Sequence, residues 1–255
     1  MKAGVLLCAA LFVATAHTRA NDGFGGIGAN GLEFAPNDKV AMVSEDLFIS
    51  IGKIKVSYVF ANTSDEDVTG EIIFLLPPIE LQGLQEQDAN LPKDRDRENL
   101  VNFTVEVDGQ SITPDIERRA VRLSPSAGTQ VAIRHQYENY PPGGIWAWEH
   151  PVPDYKWNEE TARPYGIDEA TSKALARCKA ADQIDYILRT ANTWKGPIGK
   201  FKLATDKGSP CNILSLCATD IEKTGPTTFV IEKTDYTPPE DLSILIATPE
   251  MVVLS

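Results

Sequence analysis

Histidine is nearly missing from this chain. Three occur in 255 residues, and only His135 and His150 lie beyond residue 20. That scarcity excludes most of the zinc and proton-shuttle chemistry that depends on imidazole. No H-E-x-x-H, paired C-x-x-C or G-x-S-x-G spacing is present, so the signatures of a zinc hydrolase, a zinc ribbon and a nucleophile elbow are all absent. No motif implies a metal or a cofactor. Cations are also short, with 24 Lys and Arg against 36 Asp and Glu and a net charge of −12. Nucleic acid and anionic lipid both demand a basic patch, so neither is an expected partner. Beyond the first residues no apolar run approaches the roughly 20 residues needed to span a bilayer as a helix.

What is present begins with export. Met1-Lys2 precedes an unbroken apolar run from Ala3 to Ala14, followed by small residues. This is the charged, apolar and small-residue order of a secretory signal peptide. Cleavage fits after Ala16 or after Ala20, and Ala20 is preferred because the chain turns polar and Gly-rich at Asn21. Losing residues 1–20 removes two cations and no acid, taking the charge from −12 to −14. The expected product is periplasmic or secreted, with no integral membrane segment.

Cys178, Cys211 and Cys217 remain after cleavage. In an oxidising compartment one disulfide and one thiol are expected. A Cys178–Cys217 bridge closes the longer loop and would contribute roughly 4 kcal/mol on the chain-entropy model, against roughly 2.4 for Cys211–Cys217. The longer bridge is preferred, as a tie between a helix and a strand.

Along the chain, Asn21 to Asn37 is Gly-rich and without periodicity. Its Gly26-Ile27-Gly28-Ala29-Asn30-Gly31 matches the dinucleotide-loop spacing, but that loop needs a strand before and a helix after. A flexible mature N-terminus is expected instead. Apolar parity then runs through Val40 and Met42, and switches at Ser44-Glu45-Asp46 to Leu47, Ile49 and Ile51, which marks a bulge or a crossing between sheets. Ile54, Val56, Tyr58 and Phe60 alternate with polar residues, and Asn62 to Asp67 is a turn by composition. Val68, Ile72, Phe74 and Leu76 resume the alternation, so an antiparallel pair is expected across that turn. Further strands are expected at Val101–Val107, with Asp108-Gly109 as a hairpin signal, and near 119–123 and 129–137.

Tyr140 to Trp157 is rich in Pro, Gly and aromatics and reads as a boundary. After it Asp168 opens a helix, with Ile167, Ala170, Ala174, Cys178 and Ala181 on one face, continuing to about Thr190. Strand patterns return at 201–203, 213–217, 228–231 and 242–247. The expected fold is mainly β, an antiparallel β-sandwich with a helical insertion and a smaller C-terminal β portion. Its expected division is 1–20 signal peptide, 21–37 flexible terminus, 38–155 sandwich, and 156–255 helix plus C-terminal strands.

Ser44-Glu45-Asp46-Leu47-Phe48-Ile49, Phe60-Ala61-Asn62-Thr63-Ser64, Asn192-Thr193-Trp194-Lys195-Gly196-Pro197-Ile198, Asp206-Lys207-Gly208 and Thr224-Gly225-Pro226-Thr227-Thr228-Phe229 carry a resemblance. Together they resemble an uncharacterised family of exported bacterial proteins, a domain of unknown function, over nearly the whole mature chain. The resemblance implies export and supplies no reaction. The first half alone, a strand, an Asn-Thr-Ser turn, a strand ending in Leu-Pro and then Phe103-Thr104-Val105-Glu106-Val107-Asp108-Gly109, is similar to the β-sandwich module of vault and inter-alpha-trypsin-inhibitor proteins. That likeness implies an interaction scaffold.

Few constellations carry chemistry. His135 shares parity with Val131, Ile133 and Tyr137 and reads as a packing residue. Asp94-Arg95-Asp96-Arg97-Glu98 is faintly like a calcium loop but lacks the Gly and the twelfth-position Glu. Tyr140, Trp146, Trp148, His150, Tyr155 and Trp157 form the candidate binding set, since aromatic faces stack on sugars and extended peptides. The same rings could instead fill the seam between the two parts of the chain. Trp194-Lys195-Gly196-Pro197 reads as a rigid structural turn. The expected function is a non-catalytic binding or envelope-interaction module, with an envelope protein or a glycan as partner. The alternative is a periplasmic glycan hydrolase using Asp/Glu pairs near Trp146–Trp157.

Overall fold

Alternating burial builds most of this molecule. The computed structural model describes residues 22–28, 31–34, 36–74, 101–113, 120–141 and 162–249. In chain order the first strands are β1 (Asp22–Gly28), β2 (Gly31–Phe34), β3 (Val40–Ser50), β4 (Lys53–Asn62) and β5 (Gly70–Phe74). Then come β6 (Thr104–Val107), β7 (Gln110–Ile112), β8 (Ala120–Leu123) and β9 (Gln130–Glu138). A short helix α1 (Glu169–Leu175) leads into β10 (Cys178–Tyr186), β11 (Ile198–Asp206) and β12 (Ile213–Leu216). The last strands are β13 (Glu222–Lys223), β14 (Thr228–Tyr236) and β15 (Leu242–Pro249). The chain is therefore mainly β with one helix among the described residues.

The strands form three sheets. Eight lie in the order β13-β14-β11-β3-β4-β9-β6-β7, four in the order β2-β1-β5-β8, and three in the order β10-β15-β12. In the large sheet β3 pairs antiparallel with β4 and parallel with β11. Strands from both sides of residue 155 thus share one sheet. A single cluster of buried side chains draws on all three sheets: Leu47, Phe60 and Ile133 from the first, Ile72 and Phe74 from the second, Ile184 and Ile246 from the third. Two contacts cross between sheets. Phe74 meets the His135 ring edge-on at 4.2 Å, and the hydroxyls of Tyr58 and Tyr186 bond at 3.0 Å.

The parity switch in β3 is a bulge. Met42 lies opposite Phe60 but Ser44 lies opposite Val59, so Val43 is the inserted residue. Past it Glu45, Leu47 and Ile49 turn inward. The bulge pushes the Val43 carbonyl toward β11, where Gly199 leaves room: a Cβ there would stand 2.6 Å from that oxygen.

Several local expectations need correcting. β4 and β5 do not pair. The Asn62–Asp67 turn instead carries the chain from the eight-stranded sheet to the four-stranded one. Buried Asn62 holds the turn, donating to the Glu66 and Pro125 carbonyls and accepting from the Ser64 amide and hydroxyl. The Gly-rich segment, expected to be flexible, contains β1 and β2, a hairpin that joins β5. No helix follows its glycines, so the dinucleotide reading lapses.

The helix expected to reach Thr190 stops at Leu175, although Asp168 does cap it by accepting from the Thr171 amide at 2.7 Å. From Cys178 the chain pairs with β15 and is a strand. Small residues there satisfied both periods, and tertiary pairing decided between them. β15 is buried on both faces, with Ile244 and Ile246 in the main core and Leu245 and Ala247 in a smaller cluster with Leu175, Cys178 and Ala181.

The expected disulfide is not formed. Cys178, Cys211 and Cys217 are each free, the first buried and the other two exposed. β15 lies between β10 and β12, a separation of about 9.6 Å across two strand spacings. Cys178 faces Pro249 while Leu216, beside Cys217, faces Ile244, so the sulfurs sit toward opposite ends of β15. Bridging demands Cα atoms within about 7 Å. Cys211 and Cys217 flank the extended strand β12 and are kept apart by it.

Gly199→Ala is expected to cost about 2 kcal/mol or more, because its methyl group meets backbone that cannot yield. Gly52→Ala, in open space, should stay within about 0.5 kcal/mol. Urea unfolding of the two variants measures the contrast, and equal midpoints would refute the close approach.

Candidate functional site

Of the aromatic candidate set, Tyr140 alone falls among the described residues. Its hydroxyl donates to Glu138 Oε2 and its ring packs against the main core, so it anchors the start of that loop. Trp146, Trp148, His150, Tyr155 and Trp157 lie outside the described residues, as does the Asp94–Glu98 run. His135 is buried among Tyr58, Phe74 and Phe103. Burial pushes its pKa down to about 3, so it packs as a neutral ring and titrates far below neutrality. Trp194 is buried with its ring 4.4 Å from Phe60, the structural role its sequence suggested. Among the described residues no group of three or more His, Cys, Asp and Glu is placed to share a metal ion. Nor is any described helix long and apolar enough to cross a membrane.

A cleft that the sequence did not reveal lies where the eight-stranded and three-stranded sheets meet. It holds about 260 Å³ and is walled by the turn at Arg163 and Pro164, the end of β12 at Leu216 and Cys217, Tyr236 at the end of β14, and the segment Pro239–Ser243. Backbone geometry places the first wall. Gly166 takes a φ of 62°, and a Cβ on it would stand 2.7 Å from the Leu216 carbonyl oxygen. Only glycine lets the turn sit that low on β12. Ser215 Oγ then donates to the Tyr165 carbonyl at 2.7 Å and fixes the turn in place.

The opposite wall is pinned by Asp241. Its Oδ1 accepts from the Leu188 and Arg189 amides at 3.0 Å each, and its Oδ2 from the Arg189 guanidinium at 3.0 Å. Burial resists ionisation of this carboxyl, but the Arg189 side chain and the two amides outweigh it and hold the pKa below the ordinary value. Asn192 donates to the Pro238 carbonyl and Ser243 Oγ to Asp185 Oδ1, which ties both ends of the same segment to neighbouring strands and turns. Across the mouth the Arg163 guanidinium meets Glu240 at 2.8 Å, with both side chains exposed. Such a pair contributes little stability and is easily exchanged for another partner.

Beside Phe201, on which the Tyr236 ring rests, lies a buried acid without a partner among the described residues. Glu45 is 1% exposed, and neither carboxylate oxygen has a hydrogen-bond partner among the described residues. It stands opposite Tyr58 on β4 and Phe201 on β11, whose ring lies 5.0 Å from that of Tyr236. Loss of water pushes its pKa up to about 8, so it is protonated at neutral pH. Tyr236 is shifted up as well, by its own burial and then by the charge of Glu45. The parity switch around Ser44–Asp46 was visible in the sequence. That it would turn an acid inward could have been read from Glu45 sharing parity with Leu47 and Ile49.

Glu45 gives stability a particular pH dependence. In the unfolded chain it loses its proton near the ordinary 4.5, whereas folded it keeps it to about 8. The unfolded state thus binds fewer protons over that window, and this group's contribution to stability falls as pH rises from about 4.5 to about 8. Glu45→Gln should remove that slope, by a few kcal/mol across the window. Urea midpoints at pH 5 and pH 8 for both proteins measure it, and parallel profiles would refute the assignment.

No protein with a curated description matches the chain. Among solved structures, the fold is similar to a Legionella pneumophila protein described as a "putative nutrient binding protein", with a TM-score of 0.51 and 16% identity. The likeness covers 90% of this chain and 72% of that one. At that identity the shared feature is the fold. Residues 20–125 and 124–245 match the family model described as "Domain of unknown function (DUF4424)". Those matches take in most of the sequence, and the chain belongs to that family.

Proposed function

We propose that this chain is an exported, non-catalytic binding protein, a β-sandwich that holds a small polar molecule in the cleft between Arg163 and Ser243. The observation that carries the reading is the cleft itself. Its walls are fixed by a crowded glycine and by a carboxylate that accepts from two backbone amides and the Arg189 guanidinium. Its lining mixes apolar Pro164, Leu216 and Leu242 with Tyr236, Ser243 and charged groups. The lining is mixed and more polar than apolar, which suits a polar ligand, and about 260 Å³ suits a single sugar unit, an amino acid or a small amine. A similar fold in a protein described as nutrient binding supports the same reading.

The sandwich part of the proposal rests on the core shared by the three sheets, and it agrees with the likeness of the first half to the vault and inter-alpha-trypsin-inhibitor module. Export rests on the order of charge, apolar run and small residues in Met1–Ala20. Binding is favoured over glycan cleavage by the state of the acids in the cleft. Hydrolysis needs a carboxyl kept protonated beside a second carboxylate. Asp241 is held ionised, Glu240 is exposed and paired with Arg163, and the protonated Glu45 is enclosed and is not part of the cleft lining.

Native mass spectrometry of protein purified from its own host should show a mature chain beginning at Asn21 and carrying an adduct of a few hundred daltons or less. Cys217 lines the cleft and is exposed. In a Cys211→Ser background, a bulky maleimide on Cys217 should displace the adduct. Turnover of a sugar or peptide substrate, or an adduct indifferent to the maleimide, would overturn the proposal. A retained N-terminus in an unexported chain would overturn its export part.

A further inference from the structure

We infer that the molecule held in the cleft is a free α-amino acid, its carboxylate taken by Arg163 and its ammonium by Glu240. This deepens the preceding reading and rests on it. The observation is the charge carried by the lining itself. Among the described residues that wall the cleft there is one cation, Arg163, and there are two acids, Glu240 and Asp241. Asp241 is already committed, since its oxygens accept from the Leu188 and Arg189 amides and from the Arg189 guanidinium. That leaves one guanidinium and one carboxylate for a ligand, set against each other at 2.8 Å.

Both of those side chains are exposed and gain little from each other in water, so parting them costs little. An occupant of the cleft must then answer both charges. A ligand with only a positive charge would take Glu240 and deprive the guanidinium of its carboxylate. One with only a negative charge would strand Glu240 in the same way. A neutral sugar would leave the pair closed and draw on neither charge. A zwitterion replaces one ion pair by two, and its carboxylate can meet the planar guanidinium through two parallel N–H bonds. With five N–H donors, Arg163 can do this and keep other contacts.

Ser243 and the apolar lining set the orientation. Ser243 spends its hydroxyl hydrogen on Asp185 Oδ1 at 2.7 Å, so its oxygen can only accept from a ligand in the cleft. An ammonium, which only donates, suits that oxygen and Glu240 together. Pro164, Leu216, Pro239 and Leu242 supply apolar surface on which an aliphatic side chain would lose water. A volume of about 260 Å³ is smaller than a drug-sized pocket and admits one amino acid rather than a longer peptide.

The test is titration calorimetry on the mature protein with L-alanine, L-valine and L-leucine, against N-acetyl-L-valine, L-valinamide and glucose. N-acetylvaline keeps only the negative charge and valinamide only the positive one. The amino acids should bind, and each one-charge analogue should bind about tenfold or more weakly. Arg163→Gln and Glu240→Gln should each weaken valine binding by about the same factor. Glu240→Gln should also abolish the preference for valine over N-acetylvaline, and Arg163→Gln the preference for valine over valinamide. A merely structural loss would not match charge to residue in that way. Both side chains are exposed, so neither change threatens the fold. Glucose or either analogue binding as tightly as valine, with both variants unchanged, overturns this inference and leaves the binding reading standing. So does a native adduct that the Cys217 block displaces and whose mass is not that of an amino acid. No binding by any probe, with no adduct or with one that ignores the block, overturns both.

Discussion

The parallel pairing of β3 with β11 is the constraint on which the rest depends. Parallel neighbours cannot be joined by a tight turn, and here about 150 residues intervene between the two strands. Within that interval the chain adds β4, β6, β7 and β9 to the same sheet, contributes β5, β8 and β10 to the other two, and must return with its backbone bonds satisfied. Further contacts fasten the same seam: the Asn37 amide to the Thr193 carbonyl, the Lys195 amide to the Val40 carbonyl, and Trp194 on Phe60. Because β11 brings β14 and β13 with it, these three C-terminal strands complete the sheet of the N-terminal half, while β10, β15 and β12 form a sheet of their own. A bare Gly199 beside the bulged Val43 is what allows the two chains to lie that close.

That same bulge explains why an acid is inside. Had β3 run without a bulge, with Val43 taking an ordinary place in the ladder, Glu45 would fall on the wet face and Asp46 would be buried instead. The shift is needed to place Leu47 and Ile49 against the core, since parity is a property of the whole strand past the bulge. Burial of Glu45 is thus a by-product of the register, but leaving it without a partner is not. The natural remedy for an unpaired buried acid is an apolar residue of similar size.

What the sequence disclosed was whatever depends on period and turn chemistry within a few residues. β3, β4, β9 and β11 followed from alternation. The Asp108-Gly109 hairpin followed from a pair suited to the left-handed region, and both residues take positive φ. Asp168 announced its helix. What it hid was pairing at a distance. Asn62 looked like a hairpin turn because the next segment alternates too, and nothing local says that the chain is changing sheets. Ala170 to Ala181 fits a helical face and a strand face equally well, because small residues are tolerated on either. The Gly-rich β1 offers no alternating sequence pattern, and its antiparallel pairing with β5 is set at a distance along the chain.

The cleft was hidden for a related reason. It has no motif, because its walls come from four separated stretches between Arg163 and Ser243. Each wall is set by a backbone need rather than by a recognisable catalytic spacing. Gly166 must be bare to lie on Leu216, and Asp241 must be ionised to terminate two amides of the turn after β10. Twisted sheets that meet along one edge diverge along it, and a concavity at that divergence is a consequence of the fold. The chemistry inside it is not. Tyr236 is the residue where the two meet: it ends a strand of the large sheet, lines the cleft and feels the charge of Glu45.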